Sequence, residues 1–408
     1  MIAPSGSRFK TFLLVFVLAL LSLFPPISTD MYLSAMDQIA LGLHTTHSAI
    51  ELSLSLFFLG LCVGQLILGP VLDGFGRKGP LLAGTILYVI MSICLLLAND
   101  VRVFNGLRVL QAFGACVGIV VGRVFVTDLF TGQKAAKIMT LLSALMAVGP
   151  IISPFAGSVL LSLCGWQSIF VLMILVGLLA IVLTIFTLPE TLPREKRAAA
   201  PFRKAFKSYG SLLVSRPFLV STLVTSFALA ALFAFITVSS GVLKGVFGLG
   251  NIPYGLMFAF VAISLGVFSH INSKLLNHYD PVQLTTAALP VFAVLGVILL
   301  LVSGTQSLWV FIVPLWFAMG MVGLLAANGM TITMEAARHS AGVGSALLGG
   351  IQFGIAFLCS CGVALIETGD AAPLAWGILV PALAACLVWF GDRLFFGSTT
   401  FAEQSQSV

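Results

Sequence analysis

Long apolar segments separated by short polar stretches make up most of this chain. Crossing the hydrocarbon core of a bilayer as an α-helix takes about 20 apolar residues. The segments are of that order, and they are longer than the alternating strands of about ten residues found in membrane barrels. We therefore predict an all-α polytopic membrane protein with twelve transmembrane helices, at roughly 11–36, 48–69, 80–98, 102–124, 136–163, 167–188, 217–243, 252–276, 282–303, 307–333, 342–366 and 373–394.

One long polar stretch, residues 189–216, divides these segments into two groups of six. It holds seven basic residues, two acidic residues and three prolines. We predict an N-terminal six-helix half over residues 1–190, a basic cytoplasmic linker over 191–215, and a C-terminal six-helix half with a short tail over 216–408. The sequence contains no phosphate-binding loop, so ATP hydrolysis is not expected to drive the protein.

Composition supports a membrane protein. Hydrophobic residues make up 59% of the chain and charged residues only 8%, whereas a soluble domain carries about 25% charged residues. Seven cysteines lie scattered in the apolar segments. Their odd number and placement argue against a disulfide framework or a metal cage, and we predict neither a metal site nor a cofactor.

Lysine and arginine predict the orientation of the helices, because cytoplasmic loops carry an excess of them. With both termini in the cytoplasm, Arg102 and Lys244 fall outside and Arg108 lies within a helix, which leaves seventeen of the twenty inside. The net charge of +6 therefore indicates topology and not nucleic-acid binding. The first segment follows basic residues as in a signal peptide, but it is too long and lacks a convincing cleavage site. We predict a retained first helix.

Ionisable residues inside predicted membrane helices are functional candidates, because each costs about 2.5–3.5 kcal/mol on insertion scales. Asp30 lies in the first helix just after two prolines, and Arg108 lies in the fourth. At 1.5 Å per residue, both fall roughly 10 Å below the outer surface. A shared cavity would let them pair. The alternative is that Asp30 only caps an unwound segment. Glu51 lies near the outer end of the second helix.

Residues 69–78 read Gly-Pro-Val-Leu-Asp-Gly-Phe-Gly-Arg-Lys between two apolar segments. So short a connection makes the two helices antiparallel neighbours. Its glycines permit close helix approach and left-handed backbone, and its charged side chains can pair with helix ends. The alternative is that this stretch is only a positive-inside signal.

This spacing resembles the signature loop between helices 2 and 3 of the major facilitator superfamily, Gly-x-Leu-x-Asp-Arg-x-Gly-Arg-Lys/Arg. The resemblance implies two six-helix halves that rock about a midplane site. Gly74 stands where the family usually has an arginine, so the role of that arginine is absent or is supplied elsewhere. The resemblance implies a role in conformational gating for Gly69, Asp73, Gly76, Arg77, Lys78 and, at the inner end of helix 4, Asp128.

Residues 28–35, Ser-Thr-Asp-Met-Tyr-Leu-Ser-Ala, closely resemble the helix 1 motif of the Bcr/CflA exporters, a branch of the drug:proton antiporters. The branch typically has proline at the position of Ser34. The stretch that begins at Arg108 and Gln111 resembles the helix 4 motif of the family, with Ala112 in place of a glycine. The resemblance implies a role in proton coupling for Arg108. Asp30 is the predicted proton carrier, because a carboxylate inside the membrane can take up and release a proton as its surroundings change.

The fifth predicted helix resembles the antiporter motif Gly-Pro-x-x-Gly-Gly, with Ser153 and Pro154 in place of the paired glycines. Two prolines and flanking glycines bend a helix and permit close packing. We predict a hinge there, formed by Gly149, Pro150, Pro154 and Gly157. For substrate binding, the polar residues predicted to line the cavity are Tyr32, Glu51, Gln111, Asn328 and Gln352. For Asn328 and Gln352 the alternative is ordinary hydrogen bonding between helices.

These observations predict a proton-driven exporter of small amphipathic drugs or metabolites, monomeric and located in a bacterial inner membrane. Its expected partners are a small-molecule substrate, protons and lipid. The closest alternative is a proton-coupled transporter of one specific metabolite such as a siderophore. A membrane-embedded enzyme would need clustered carboxylates, histidines or a metal site at the membrane face. The five histidines lie at helix ends or in loops, without an acidic cluster.

Overall fold

The computed structural model describes residues 8–366 and 369–396, so the predicted C-terminal tail lies outside the described residues. The chain forms two units. The first comprises the described residues up to Ala205 together with Gly250–Ala259, and the second comprises Phe206–Leu249 and the described residues from Phe260 onward.

The helices of the first unit follow the predicted order of spans. They are α1 (Arg8–Ser22), α2 (Phe24–Pro26), α3 (Met36–Gly42), α4 (His47–Phe75), α5 (Lys78–Leu97), α6 (Val101–Leu129), α7 (Gly132–Cys164) and α8 (Gln167–Thr187), with a π-helical turn at Ile27–Met31 between α2 and α3.

Two further helices run across the division between the units, α9 (Pro201–Val214) and α11 (Asn251–Leu275). The remaining helices belong to the second unit. They are α10 (Arg216–Ser240), α12 (Pro281–Leu301), α13 (Leu308–Ala336), α14 (Ala341–Ala364) and α15 (Ala372–Phe396), and a π-helical turn at Gly241–Val246 continues α10.

The all-α fold is confirmed. Among the described residues, eleven segments are helical, long enough and apolar enough to cross a membrane, and Val148–Cys164 is a shorter apolar stretch within α7. Together these account for the twelve predicted spans.

The first predicted span, 11–36, is not one continuous helix. It is divided into α1, α2 and the π-helical turn, and α3 follows after Ala35. Pro25 and Pro26 explain the break, because proline has no N–H to donate and its ring clashes with the preceding turn. The wider π turn follows directly and contains Asp30.

The signature segment, residues 69–78, is also more helical than its sequence indicates. Helix α4 continues to Phe75 and α5 begins at Lys78, so only Gly76 and Arg77 connect them. Gly76 has a φ of +97°, which glycine adopts at little steric cost. Asp73 therefore projects from the last turn of a helix and not from a loop.

The predicted linker contains a helix, α9, that the pattern of apolar segments did not indicate. Phe202, Phe206 and Tyr209 recur at helical spacing within α9, a pattern typical of an amphipathic helix. The helix is only 14 residues long, too short to be counted as a span.

Small residues bring the helices of the first unit into close contact. A Cβ atom on Gly114 would lie 2.8 Å from the backbone nitrogen of Tyr88 in α5. A Cβ atom on Gly118 would overlap the carbonyl oxygen of Leu21 in α1. These two glycines let α6 pack closely against both α1 and α5.

In the second unit, α10 packs against α13, α14 and α15. Gly329 of α13 lies against Thr225, and Gly377 of α15 against Ala234. The beginning of α10 is tied to the end of α15 by an ion pair, with Arg216 Nε 2.6 Å from Asp392 Oδ1.

Candidate functional site

Asp30 lies in the π-helical turn of the first unit and is only 2% exposed. The hydroxyl of Thr29 lies within hydrogen-bonding distance of two acceptors, Asp30 Oδ1 and the carbonyl oxygen of Pro25, each at 2.9 Å. A single hydroxyl proton serves one of them at a time. The carboxyl group of Asp30 is therefore enclosed by protein and has a polar neighbour on its own turn.

Arg108 is fully buried in α6. Its Nη1 donates to Gln111 Oε1 at 2.7 Å, one helical turn further on. Its Nη2 donates to the backbone carbonyl oxygen of Ser28 at 2.9 Å. The guanidinium is thus hydrogen-bonded to the backbone of helix 1 at Ser28, two residues before Asp30.

Aromatic rings complete the environment of Arg108. The guanidinium carbon lies 4.2 Å from the centre of the Tyr32 ring and 4.5 Å from that of Phe57. Arginine over a ring face is a favourable cation–π arrangement, and it is stronger in a desolvated site. The Nε atom of Arg108 is buried and has no hydrogen-bond partner within the described part of the chain. The cation is therefore held by two hydrogen bonds and two rings.

The direct pairing of Asp30 with Arg108 that their matching depths allow is not made. Among the described residues, no ion pair joins the two side chains; Asp30 contacts Thr29 and the guanidinium reaches Ser28 and Gln111. The break in helix 1 explains the difference, because the π turn presents the Ser28 carbonyl to Arg108. Both ionisable groups are nevertheless buried in the same unit.

Other predicted site residues join this network. The Tyr32 hydroxyl lies 2.7 Å from Ser53 Oγ in α4. Gln111 Nε2 donates to Ser92 Oγ of α5 at 2.8 Å, so Gln111 links Arg108 to a second helix.

The sequence analysis missed Tyr88, which is fully buried beside this network. Its hydroxyl lies 2.8 Å from Ser28 Oγ, and its ring stacks on Phe24 with centroids 4.5 Å apart. The residue that supplies the carbonyl to Arg108 is thus also held through its side chain. The signal was available, because Thr85, Tyr88 and Ser92 are polar residues spaced three and four apart in a largely apolar span.

Glu51 lies apart from Arg108, beside a histidine to which the sequence analysis gave no role. His47 Nδ1 is 2.8 Å from Asp37 Oδ1, and His47 Nε2 is 3.3 Å from Glu51 Oε1. This arrangement joins α3 to the first turn of α4. The spacing of His47 and Glu51, four residues apart at the start of a helix, could have indicated the contact.

In the second unit, Asn328 makes a reciprocal amide pair with Asn272 across α13 and α11. Each Nδ2 donates to the Oδ1 of the other, at 2.8 and 2.9 Å, and both residues are buried. Asn328 therefore forms the interhelical hydrogen bonds that were the alternative to a cavity-lining role. Gln352 lies half-buried in α14.

At the far end of the first unit, Arg77 of the signature segment lies between two carboxylates. Its Nη1 is 2.9 Å from Asp73 Oδ1 and its Nε is 3.4 Å from Asp128 Oδ2. The Thr191 hydroxyl donates to the same oxygen of Asp128 at 2.7 Å. Lys78 donates to the carbonyl oxygen of Ile185 at 2.9 Å. A Cβ atom on Gly69 would have no atom of the described residues within 4 Å.

Glu190 caps the beginning of α5. It accepts hydrogen bonds from the backbone nitrogen atoms of Arg77 at 2.8 Å and Lys78 at 3.2 Å. Burial raises the pKa of this carboxyl group, but the bonds from Arg77, Leu192 and Lys78 and the charge of Arg197 outweigh it. The net pKa is lowered, so Glu190 is ionised throughout the neutral range.

The predicted hinge residues lie against the broken part of helix 1. A Cβ atom on Gly149 would lie 2.8 Å from Pro26 Cβ, and one on Gly157 would overlap the carbonyl oxygen of Met31. The Pro154 carbonyl accepts from Ser34 Oγ at 2.9 Å. Pro150 and Pro154 both lie within α7, which continues through them as a helix. Bending at this point remains a prediction.

Comparison with known proteins agrees with this architecture. The family described as Major Facilitator Superfamily matches residues 16–359. The chain belongs to the major facilitator superfamily. Its predicted family is thereby confirmed.

Relatives within the superfamily align over nearly their whole length. A Bacillus subtilis protein named uncharacterized MFS-type transporter YdgK is 30% identical over 391 residues, which cover 95% of this chain and 96% of the relative. A Haemophilus influenzae bicyclomycin resistance protein homolog is 28% identical, and the alignment covers 93% of this chain and 94% of the relative. The Shigella flexneri multidrug resistance protein MdtL is 28% identical, and the alignment covers 89% of this chain and 90% of the relative.

A solved structure of the superfamily shares the fold. The xylose transporter XylE from E. coli, in a partially occluded inward-open conformation, superposes with a TM-score of 0.72 at 14% identity. The match covers 95% of this chain and 98% of XylE. The major facilitator fold predicted from the sequence is confirmed.

Proposed function

We propose that this chain is a proton-driven exporter of small amphipathic drugs or metabolites that works by alternating access. In this proposal it is a multi-pass protein of a bacterial inner membrane with both termini in the cytoplasm. It acts as a monomer, needs no cofactor, and catalyses no covalent chemistry. The bias of lysine and arginine toward one side supports the orientation.

Asp30 is buried and, among the residues that the structure describes, has no cationic partner, and this observation carries the proposal. An ionised carboxylate in an apolar site is costly unless it is paired, and the guanidinium of Arg108 is directed to Ser28 and Gln111. Asp30 therefore loses no ion pair when it takes up a proton. A group of this kind can change protonation as access to it changes.

Arg108 would act on Asp30 through helix 1. The guanidinium holds the Ser28 carbonyl, two residues before Asp30, and so fixes the π-helical turn that carries the carboxyl group. Charge on Asp30 and the position of this turn would then depend on each other. A substrate that displaces the proton from this region, or is displaced by it, produces exchange.

The names of relatives favour export of drugs over other cargo. Two of the aligned proteins are named for resistance, one to bicyclomycin and one to multiple drugs.

Export can be tested in everted inner-membrane vesicles from a host that lacks its own drug exporters. Ethidium and a panel of amphipathic antibiotics serve as probes, and a resistance profile is measured in the same host. We expect accumulation of several probes against their gradients that a protonophore abolishes. Protection against a single compound would replace the multidrug proposal with transport of one metabolite. Accumulation that survives the protonophore would contradict proton coupling.

A further inference from the structure

A segment of the linker lies against the signature segment. This linker strap, residues 190–201, begins with the carboxylate that caps α5 and ends with the proline that starts α9. The Ala198 backbone nitrogen donates to the carbonyl oxygen of Asp73 at 2.9 Å. The strap is thus hydrogen-bonded to the end of α4, through Asp73, and to the beginning of α5, through Glu190.

Arg197 is the cation of this strap that reaches the cap of α5. Its Nη2 lies 3.8 Å from Glu190 Oε2, and its Nε donates to the Leu192 carbonyl oxygen at 3.4 Å. Glu190 in turn accepts from the backbone of Arg77. A chain of contacts therefore runs from the linker cation, through one carboxylate, to the residue that separates α4 from α5.

Two glycines of the signature segment provide the room for the strap. A Cβ atom on Gly76 would lie 2.6 Å from Arg197 Nη2 and 2.7 Å from Glu190 Oε2. A Cβ atom on Gly74 would lie 2.7 Å from Pro201 Cγ. A side chain at Gly74 would push against the ring of Pro201, and one at Gly76 would displace the side-chain ends of Arg197 and Glu190. The departure from the signature pattern at Gly74 is therefore matched by an element that fills the space.

The strap also contacts the ion pairs of Arg77. Thr191, next to Glu190, donates to Asp128 Oδ2, the oxygen that also faces Arg77 Nε. Movement of the strap would consequently alter both the backbone cap and the side-chain partners of Arg77.

We propose that Arg197 is a positioning residue of the transport cycle, which holds the linker strap on the signature segment and so fixes Arg77 between Asp73 and Asp128. Gly74 and Pro201 form the second fastening. This proposal rests on the transport function proposed above, and its first test is independent of transport.

Hydrogen exchange of the full-length protein in detergent, followed by mass spectrometry, tests the fastening. Replacing Arg197 with alanine should accelerate exchange in peptides covering 76–80 and 190–198 by about two- to fivefold, as expected for a partly exposed ion pair. Arg197→Lys should retain part of the protection. Arg194→Ala is the matched control, since Arg194 is exposed and contributes its backbone carbonyl to the same turn. It should exchange like the wild type.

A second pair of variants tests the glycine side of the contact. Gly74→Ala places a methyl group against Pro201 and should accelerate exchange in the strap. Gly106→Ala, in α6 of the same unit, is the control, because no atom of the described residues lies within 4 Å of the added methyl group. Its exchange in the strap should be unchanged. Equal exchange in all of these variants and the wild type would overturn the proposal.

Transport measurements then test the role in the cycle. With ethidium as the probe, Arg197→Ala should change the maximal rate at least twofold while leaving the half-saturating concentration within twofold. Faster exchange with an unchanged rate in an active transporter would overturn the positioning role. Faster exchange in Arg197→Ala when the wild type transports no probe would contradict the proposed function and leave the fastening by Arg197 supported.

Discussion

Arg108 donates from Nη2 to the backbone carbonyl oxygen of Ser28 at 2.9 Å. A buried cation is thus held by helix 1 through a main-chain group and not through the acidic side chain two residues later. Because this carbonyl belongs to the π-helical turn, the geometry of the turn and the placement of Arg108 depend on each other.

Transport should require the planar guanidinium of Arg108, with its two hydrogen bonds, and not only a positive charge at this position. Lysine keeps the charge but is a point donor without the planar fork, so it cannot reach Ser28 and Gln111 together. We expect Arg108→Lys to abolish proton-driven transport and to lower the free energy of unfolding by about 1–3 kcal/mol, since a buried acceptor is left unsatisfied. Arg102→Lys, at an exposed position of the same helix, is the control. Thermal unfolding in detergent and vesicle transport measure the two effects, and full activity of Arg108→Lys would refute the prediction.

The reciprocal pair of Asn272 and Asn328 predicts strongly coupled stability effects. Asn328→Ala leaves the buried amide of Asn272 unsatisfied and should cost about 1–3 kcal/mol of unfolding free energy. The double alanine variant should be little worse than either single variant, because the two share one interaction. Unfolding of the three variants in detergent measures this. Weaker probe binding by Asn328→Ala without loss of stability would instead favour a role in the cavity.

Substitutions in the signature segment should change the rate of transport and leave the affinity for substrate nearly unchanged. Asp73→Asn removes a charge that pairs with Arg77 at the inner end of the helices, whose outer end lies roughly 30 Å away across the bilayer. We expect slower turnover with nearly unchanged binding, since the change affects the balance between conformations. Arg77→Ala should behave alike. Binding to purified protein and transport in vesicles separate the two quantities. Loss of binding in a folded variant would show that gating is the wrong role.

The topology can be tested with reporter fusions. Fusions at Ser208 and His339 should report the cytoplasm, and a fusion at Gly248 should report the outside, because the lysine and arginine bias fixes the orientation. Paired reporters that are active on only one side of the membrane give complementary signals. An external signal at Ser208 would be incompatible with the twelve-helix topology.

The sequence predicted the spans well because hydrocarbon thickness imposes a length that composition alone reveals. The depths of Asp30 and Arg108 followed from the helical rise for the same reason. Their direct contact did not, because two prolines divide helix 1 and change the direction in which its groups point. Side-chain direction after a break depends on local backbone geometry that spacing does not encode.

The contacts of the linker strap could not be predicted from the sequence, for a different reason. Its contacts join Asp73 to Ala198 and Glu190 to Arg197, and the first of these pairs depends on how a polar segment folds back onto a helix end. The only sequence signal was Gly74, a glycine in place of an expected arginine. That departure indicated that something differed there but not what occupied the space.

Proton release on substrate addition tests the central claim, that Asp30 carries the coupled proton. Purified protein in weak buffer is mixed with a transported probe such as ethidium across a pH series, and the released protons are counted with a pH indicator. Asp30→Asn keeps the shape of the side chain and removes the titratable group, and Glu51→Gln is the matched control at a second buried acidic residue of the first unit. We expect release from the wild type and from Glu51→Gln, and none from Asp30→Asn. Undiminished release from Asp30→Asn would contradict the account and make Glu51 the next candidate for the proton carrier.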